Sequence, residues 1–185
     1  MNGAGDKNLL KSLAGKFKFK VVFVKSLVLG KRKVSSSLIR KLIAEGRLIE
    51  ASKYLGRYYN LTGKVIKGKC CGKLLGFATA NLPIAPRLLL KEGVYAGWVL
   101  IGDKKKKAVI NIGKGPTFRM GSKIIEVHIF DFNKNIYGKE IEVFFVKKLR
   151  REKKFKNKNE LIQQIKKDVQ KTKKILKKAD KLFAR

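Results

Sequence analysis

Apolar positions follow two different periods along this chain, and the points where the period changes divide it. Leu9, Leu10, Leu13, Ala14 and Phe17 recur at the three- and four-residue intervals of a helix face, whereas Phe19 to Val24 is a β-rich run. The opening therefore reads as a helix feeding a strand. Gly30-Lys31-Arg32-Lys33 follows as a basic loop. Ser35-Ser36-Ser37 then offers N-cap hydroxyls to a helix whose apolar face is Leu38, Ile39, Leu42 and Ile43, with Gly46 ending it. A second short helix carrying Leu48, Ile49, Ala51 and Leu55 runs to Gly56, which makes residues 35–56 an αα hairpin.

From Tyr58 the texture changes to short β-type runs separated by glycine. Strands are expected at Tyr59–Lys67, Val94–Ile101, Lys107–Ile112, Ile124–Phe130 and Glu140–Lys148, joined by turns such as Gly102-Asp103 and Asn133–Asn135. Runs at this spacing predict an antiparallel barrel or sandwich. After Leu149-Arg150-Arg151 the helical period returns through Leu161, Ile162, Ile165, Val169 and Ile175, with Asn157 or Asn159 as N-cap and a lysine-covered opposite face. Such a helix lies on a core with one side solvated. The fold class is mainly β with a C-terminal amphipathic helix. Two domains are expected: 1–56, a small α/β segment plus the αα hairpin, and 57–185, the barrel with its helix.

Composition narrows the function classes. The 185 residues carry 46 Lys+Arg against 13 Asp+Glu, a formal charge of +33. That balance attracts polyanions of every kind. The excess is mostly lysine scattered through the chain, however, which reads as compositional habit more than as a footprint. No apolar run reaches the roughly 18 residues of a membrane span, and the lysine-punctuated first twenty residues do not match a secretory signal. Cys70 and Cys71, adjacent and alone, exclude a disulfide framework and point to a reducing cytoplasm. With His128 as the single histidine they do not make a structural zinc site.

Candidate chemistry concentrates in a few places. Gly63 to Cys70 nearly matches a Walker A loop, but its middle is strand-like and Cys70 stands where Ser or Thr is needed. Gly68 and Gly72 read either as a flexible hairpin turn or as a loop whose amides approach phosphates, with Lys69 or Lys73 adding charge. Thr79 and Asn81 are two residues apart, so an extended backbone presents their side-chain oxygens on one face. Two neutral oxygen ligands side by side suit a magnesium ion carrying phosphates. Glu126 taken alone reads as a salt-bridge partner, and His128 as a hydrogen-bonded structural histidine.

Five motifs in order carry a resemblance. Gly68 and Gly72 with Gly76-Phe77-Ala78-Thr79-Ala80-Asn81-Leu82, Gly93-Val94-Tyr95-Ala96, Asn111 to Phe118, Glu126 to Phe132, and Tyr137-Gly138 together resemble the riboflavin kinases over about residues 57–175. The likeness is greatest to the kinase module at the C-terminal end of the bacterial bifunctional FAD synthetases. It implies a six-stranded Greek-key β-barrel with a helix on one side, which uses Mg-ATP to phosphorylate the terminal ribityl hydroxyl of riboflavin and give FMN. By the same resemblance Thr79 and Asn81 hold magnesium and the nucleotide phosphates, with Gly68, Gly72, Lys73 and Phe77 on the nucleotide side. Glu126 is the general base; phosphoryl transfer is mainly positioning and charge stabilisation, so one carboxylate suffices. Asn111, Pro116, Phe118 and Arg150 border the flavin. Ala78 stands where the family pattern Pro-Thr-Ala-Asn has proline, which fixes φ but offers no ligand, so the exchange loosens a turn without removing chemistry.

Residues 3–23 and 34–40 resemble the tail of the adenylyltransferase module that precedes the kinase in those synthetases. The early His-x-x-His type partner of that segment has no counterpart here, so FMN adenylylation is not expected and Ser35 to Arg40 reads as a structural remnant. Two other readings stand beside the kinase: a fragment of a bifunctional synthetase that depends on its other half, and a basic nucleic-acid-binding barrel using the lysine-rich helix. The expected partners are riboflavin or FMN and ATP or ADP, with no membrane and nucleic acid engaged only non-specifically through charge.

Overall fold

The computed structural model describes residues 7–68, 77–84, 88–114 and 123–180. It divides into two compact units, residues 1–34 and 35–185. In the first unit, α1 (Lys7–Phe17) forms as the helical spacing predicts. Phe19 to Val24, expected as a strand, takes no regular structure. The β pairing in this unit is instead a two-residue ladder between β1 (Val28–Leu29) and β2 (Arg32–Lys33), turning through Gly30 at φ 62°. The physical reason is that a strand, unlike a helix, makes its backbone hydrogen bonds with another segment. Among the described residues, 19–24 enters no β ladder.

The second unit opens with α2 (Ser36–Ala44), whose first turn is capped by Ser35: its Oγ accepts from the Leu38 amide at 3.2 Å. After Gly46 at φ 78° comes α3 (Leu48–Leu55), ended by Gly56 in the left-handed region at φ 71°. Leu42, Ile43, Leu48 and Ala51 are fully buried in the same apolar core as the sheet. The compact unit begins at Ser35. Burial of four apolar side chains against the sheet ties the hairpin to it.

Six strands follow: β3 (Tyr59–Lys64), β4 (Thr79–Pro83), β5 (Gly93–Ile101), β6 (Lys104–Lys114), β7 (Lys123–Ile129) and β8 (Glu140–Arg150). They form one antiparallel sheet in the order β3-β8-β5-β6-β7-β4. The sheet curls until its two edges meet, where the Ile66 amide donates to the Asn81 carbonyl at 2.9 Å. That contact also explains why β3 stops at Lys64 and not at Lys67: beyond it the chain leaves β8 and crosses to β4. Gly97 allows a close approach inside the sheet, since a Cβ there would sit 2.0 Å from the Phe144 carbonyl oxygen.

Alternation decides what faces where. Leu82, Tyr95, Val99, Ile110, Ile125 and Phe145 point into the curl and are essentially inaccessible. On the outer face, Ala96, Trp98 and Val146 pack under Leu176 and Ala179 of α4 (Lys158–Asp180), while Val94, Val109 and Phe130 meet Val169. Asn157 caps this helix, accepting from the Glu160 amide at 2.9 Å. The lysines of α4 lie on its exposed side.

Candidate active site

Because Ala80 and Leu82 point into the core, the period of two sends Thr79 and Asn81 to the outer face of β4. Pairing register then sets their neighbours. Asn81 lies opposite Glu126 on β7, and Glu126 lies opposite Asn111 on β6, so the three form one row across three strands. Thr79 starts a parallel row with His128 and Val109. Within the first row Asn111 Nδ2 donates to Glu126 Oε2 at 3.2 Å.

His128 is held by its surroundings. Its Nδ1 lies 3.0 Å from the Ala78 carbonyl, which only accepts, so Nδ1 carries the proton. The ring meets Phe77 edge-on at 5.3 Å and Phe130 at 5.7 Å. These contacts fit the structural histidine read from the sequence.

Asn81 is 8% exposed, and its Oδ1 is buried without a hydrogen-bond partner among the described residues. A buried acceptor left unpaired is costly, so it points to a ligand. Gly68 packs its backbone directly against the other end of that carboxamide: a Cβ at residue 68 would sit 1.9 Å from Asn81 Nδ2 and 2.9 Å from Cγ. The need for glycine here is close approach. The Thr79 hydroxyl and Asn81 Oδ1, hard neutral oxygens on one face, suit a cation that prefers oxygen ligands.

Two concavities meet at this point, and Thr79 lines both. One, of about 300 Å³, lies between the outer sheet face and the chain leading into α4; Thr79, Asn111, Glu126 and His128 form its floor, and Arg150, Phe155 and Ile165 its wall. The other, of about 270 Å³, lies between Ala78–Ala80 and the turn from Phe132 to Tyr137. Asn133–Asn135, expected as a turn, thus also line a cavity.

Arg150 belongs to the wall and is anchored there. Its Nε and Nη2 each lie 2.9 Å from Asp168 Oδ2, and Nη1 donates to the Arg151 carbonyl at 3.1 Å. Gln164 Nε2 donates to the remaining Asp168 oxygen at 2.9 Å, and the guanidinium stands 5.8 Å from the Phe155 ring. Asp168 escaped notice in the sequence although a signal was present. It sits on the buried stripe of α4 that includes Thr172, Leu176 and Ala179, where a carboxylate needs a partner. Phe155, alone in a lysine run, was the other missed residue.

Beside this wall Lys148 donates to the Glu92 carbonyl at 2.8 Å. Burial, followed by repulsion from Arg151 and Lys91, pushes its ammonium below the usual lysine range. Of the predicted residues, Phe77, Thr79, Asn111, Glu126 and Arg150 line the cavity under α4, while Asn81 lies in the row beside Glu126 with Gly68 packed against it; Phe77, expected on the nucleotide side, thus stands in the α4 cavity. Gly72, Lys73, Pro116 and Phe118 lie outside the described residues.

The chain is similar to known proteins in sequence and in fold. The family model described as Flavokinase, riboflavin kinase, matches residues 55–176. A bifunctional riboflavin kinase/FMN adenylyltransferase from Buchnera aphidicola subsp. Schizaphis graminum is 40% identical over 174 residues, which is 92% of this chain and 56% of that protein. A crystal structure described as a macrolide-efflux protein from Streptococcus pneumoniae superposes with a TM-score of 0.75 at 33% identity, covering 88% of this chain and 54% of that one. No helix among the described residues is long and apolar enough to cross a membrane. Riboflavin kinase from Trypanosoma brucei shares the fold at a TM-score of 0.52 and 23% identity, over 64% of this chain and 80% of that one. The chain thus spans about half the length of the curated relative it matches, in the part that carries the sheet and α4. With the family model matching residues 55–176, which hold the six-stranded sheet and most of α4, the chain belongs to the riboflavin kinase family.

Proposed function

We propose that this chain transfers the γ-phosphoryl group of ATP to the terminal ribityl hydroxyl of riboflavin, giving FMN and ADP. The observation that carries the reading is the row Asn81–Glu126–Asn111, with Thr79 on the same face where the two concavities meet. The cavity under α4 takes the flavin, with Val109, Phe155 and Ile165 as apolar walls. The cavity beside Ala78–Ala80 takes the nucleotide; Gly68 and Phe77 join the nucleotide side on the family resemblance alone, since Phe77 lines the cavity under α4. A Mg²⁺ ion would be held by Thr79 and Asn81 together with the nucleotide, and supplies charge neutralisation for the transferring group.

Glu126 is the base. As the hydroxyl oxygen attacks phosphorus, its proton passes to the Glu126 carboxylate, and the bond to the bridging oxygen breaks with its electrons leaving on ADP. Asn111 and Arg150 border the flavin site. Gly72, Lys73, Pro116 and Phe118 join this assignment on the family resemblance. Residues 57–185 are then the catalytic part and 1–56 the adenylyltransferase-like tail. FMN adenylylation is not expected of that tail, and the adjacent Cys70 and Cys71 favour a reducing cytoplasm.

The test is to incubate the protein with riboflavin, ATP and Mg²⁺ and separate the flavins by chromatography. FMN without FAD is expected, and no FMN would overturn the kinase reading. Glu126→Gln should lower turnover by about 10²-fold or more, within the range of a positioned base, while leaving ATP binding intact.

A further inference from the structure

We propose that Asn111 is a positioning residue for Glu126, holding one carboxylate oxygen so that the other faces the hydroxyl to be deprotonated. The inference rests on the kinase reading above and deepens it. A carboxylate only accepts, so the 3.2 Å contact fixes the orientation of the carboxamide: Nδ2 toward Glu126 Oε2, and Oδ1 away from it. The backbones of the two residues are paired in register within the long β6–β7 ladder, which prevents either side chain from drifting relative to the other.

A structural asparagine inside a fold has both ends of its carboxamide satisfied. Asn111 does not: its Oδ1 is buried and has no hydrogen-bond partner among the described residues. Within the fold this carboxamide is bonded only at its nitrogen end, which serves Glu126, and its buried oxygen is left for a ligand. The opposite neighbour in the row is not equivalent. Asn81 has its nitrogen against the Gly68 backbone, and its own unpaired oxygen is directed to the cation site.

An alternative role for Asn111 is a direct contact to the flavin, and a double-substitution cycle separates the two. Asn111→Leu, similar in size but without the donor, and Asn111→Asp, of the same shape but without an N–H toward Glu126, are compared in the native and Glu126→Gln backgrounds. Turnover is followed with labelled ATP so that the residual rate of Glu126→Gln is read. In the native background kcat should fall about 10–100-fold, part of what a positioned base contributes, with the KM for ATP changed by less than about threefold. In the Glu126→Gln background the same substitutions should change kcat by less than about twofold, since effects of residues that act as a unit do not add. Equal losses in both backgrounds, or an unchanged kcat in the native one, would overturn the proposal. If Glu126→Gln alone leaves turnover intact, the base assignment itself fails and this inference falls with it. If Glu126→Gln is impaired and Asn111→Leu is not, only the inference falls. Two variants of opposite polarity guard against a folding defect, which thermal unfolding reads separately.

Discussion

Asp168→Ala tests how α4 is fastened to the sheet. Asp168 is 2% exposed, accepts hydrogen bonds at 2.9 Å from Arg150 Nε and Gln164 Nε2, and pairs with Arg150 Nη2 at 2.9 Å. Removing one partner of a buried ion pair costs about 3–5 kcal/mol because the other charge is left buried without compensation. Here the Arg150 side chain keeps 22% exposure and a second bond to the Arg151 carbonyl, so part of its charge stays solvated. The lower end of the range, about 3 kcal/mol, is therefore expected. For a chain of this size that corresponds to a fall of roughly 6–12 °C in the unfolding midpoint. Urea denaturation followed by far-UV circular dichroism measures the free energy, and a thermal scan measures the midpoint. The apolar double substitution Arg150→Met with Asp168→Leu should recover most of the loss, since it removes both charges together. A cost under about 1 kcal/mol for Asp168→Ala would place the pair among ordinary surface salt bridges and refute the reasoning.

Gly68→Ala should act on turnover and leave the fold alone: the new Cβ would lie 1.9 Å from Asn81 Nδ2, so the confined carboxamide must turn, and a displacement near 1 Å at a reacting centre costs on the order of 10²-fold. Steady-state kinetics should show the loss in kcat/KM for MgATP with an unchanged melting midpoint; normal kinetics would contradict the proposed role of Asn81. Tyr95, fully buried in the curl with its hydroxyl donating to the Lys91 carbonyl, is pushed up to about 12 by burial. A raised folded-state value means this contribution to stability is complete below pH 10 and is lost as pH rises through 10 toward 12. Absorbance titration should show a late-ionising tyrosine that Tyr95→Phe abolishes.

What the chain declares locally and what it declares only when folded separate cleanly here. The period of 3.6 in Leu9–Phe17 and Leu161–Ile175, the hydroxyl of Ser35, the choice of Asn157 or Asn159 before α4, and the same-face placement of Thr79 and Asn81 all follow from backbone geometry within a few residues. Phe19–Val24 shows the limit of that information, because β-type residues make a strand only where a partner edge exists. Register is decided at a distance. Asn81, Glu126 and Asn111 come into one row through ladders that join distant segments, and nothing in the local pattern of any one of them states which residue of the next strand it will face. The same holds for Ile66 closing on Asn81 and for Arg150 meeting Asp168. The sequence by itself thus determined the kinds of element and, through motif order, the family. The tertiary structure decided which of the polar side chains became neighbours, since packing of the alternating faces selects one register among several that the local periods allow equally.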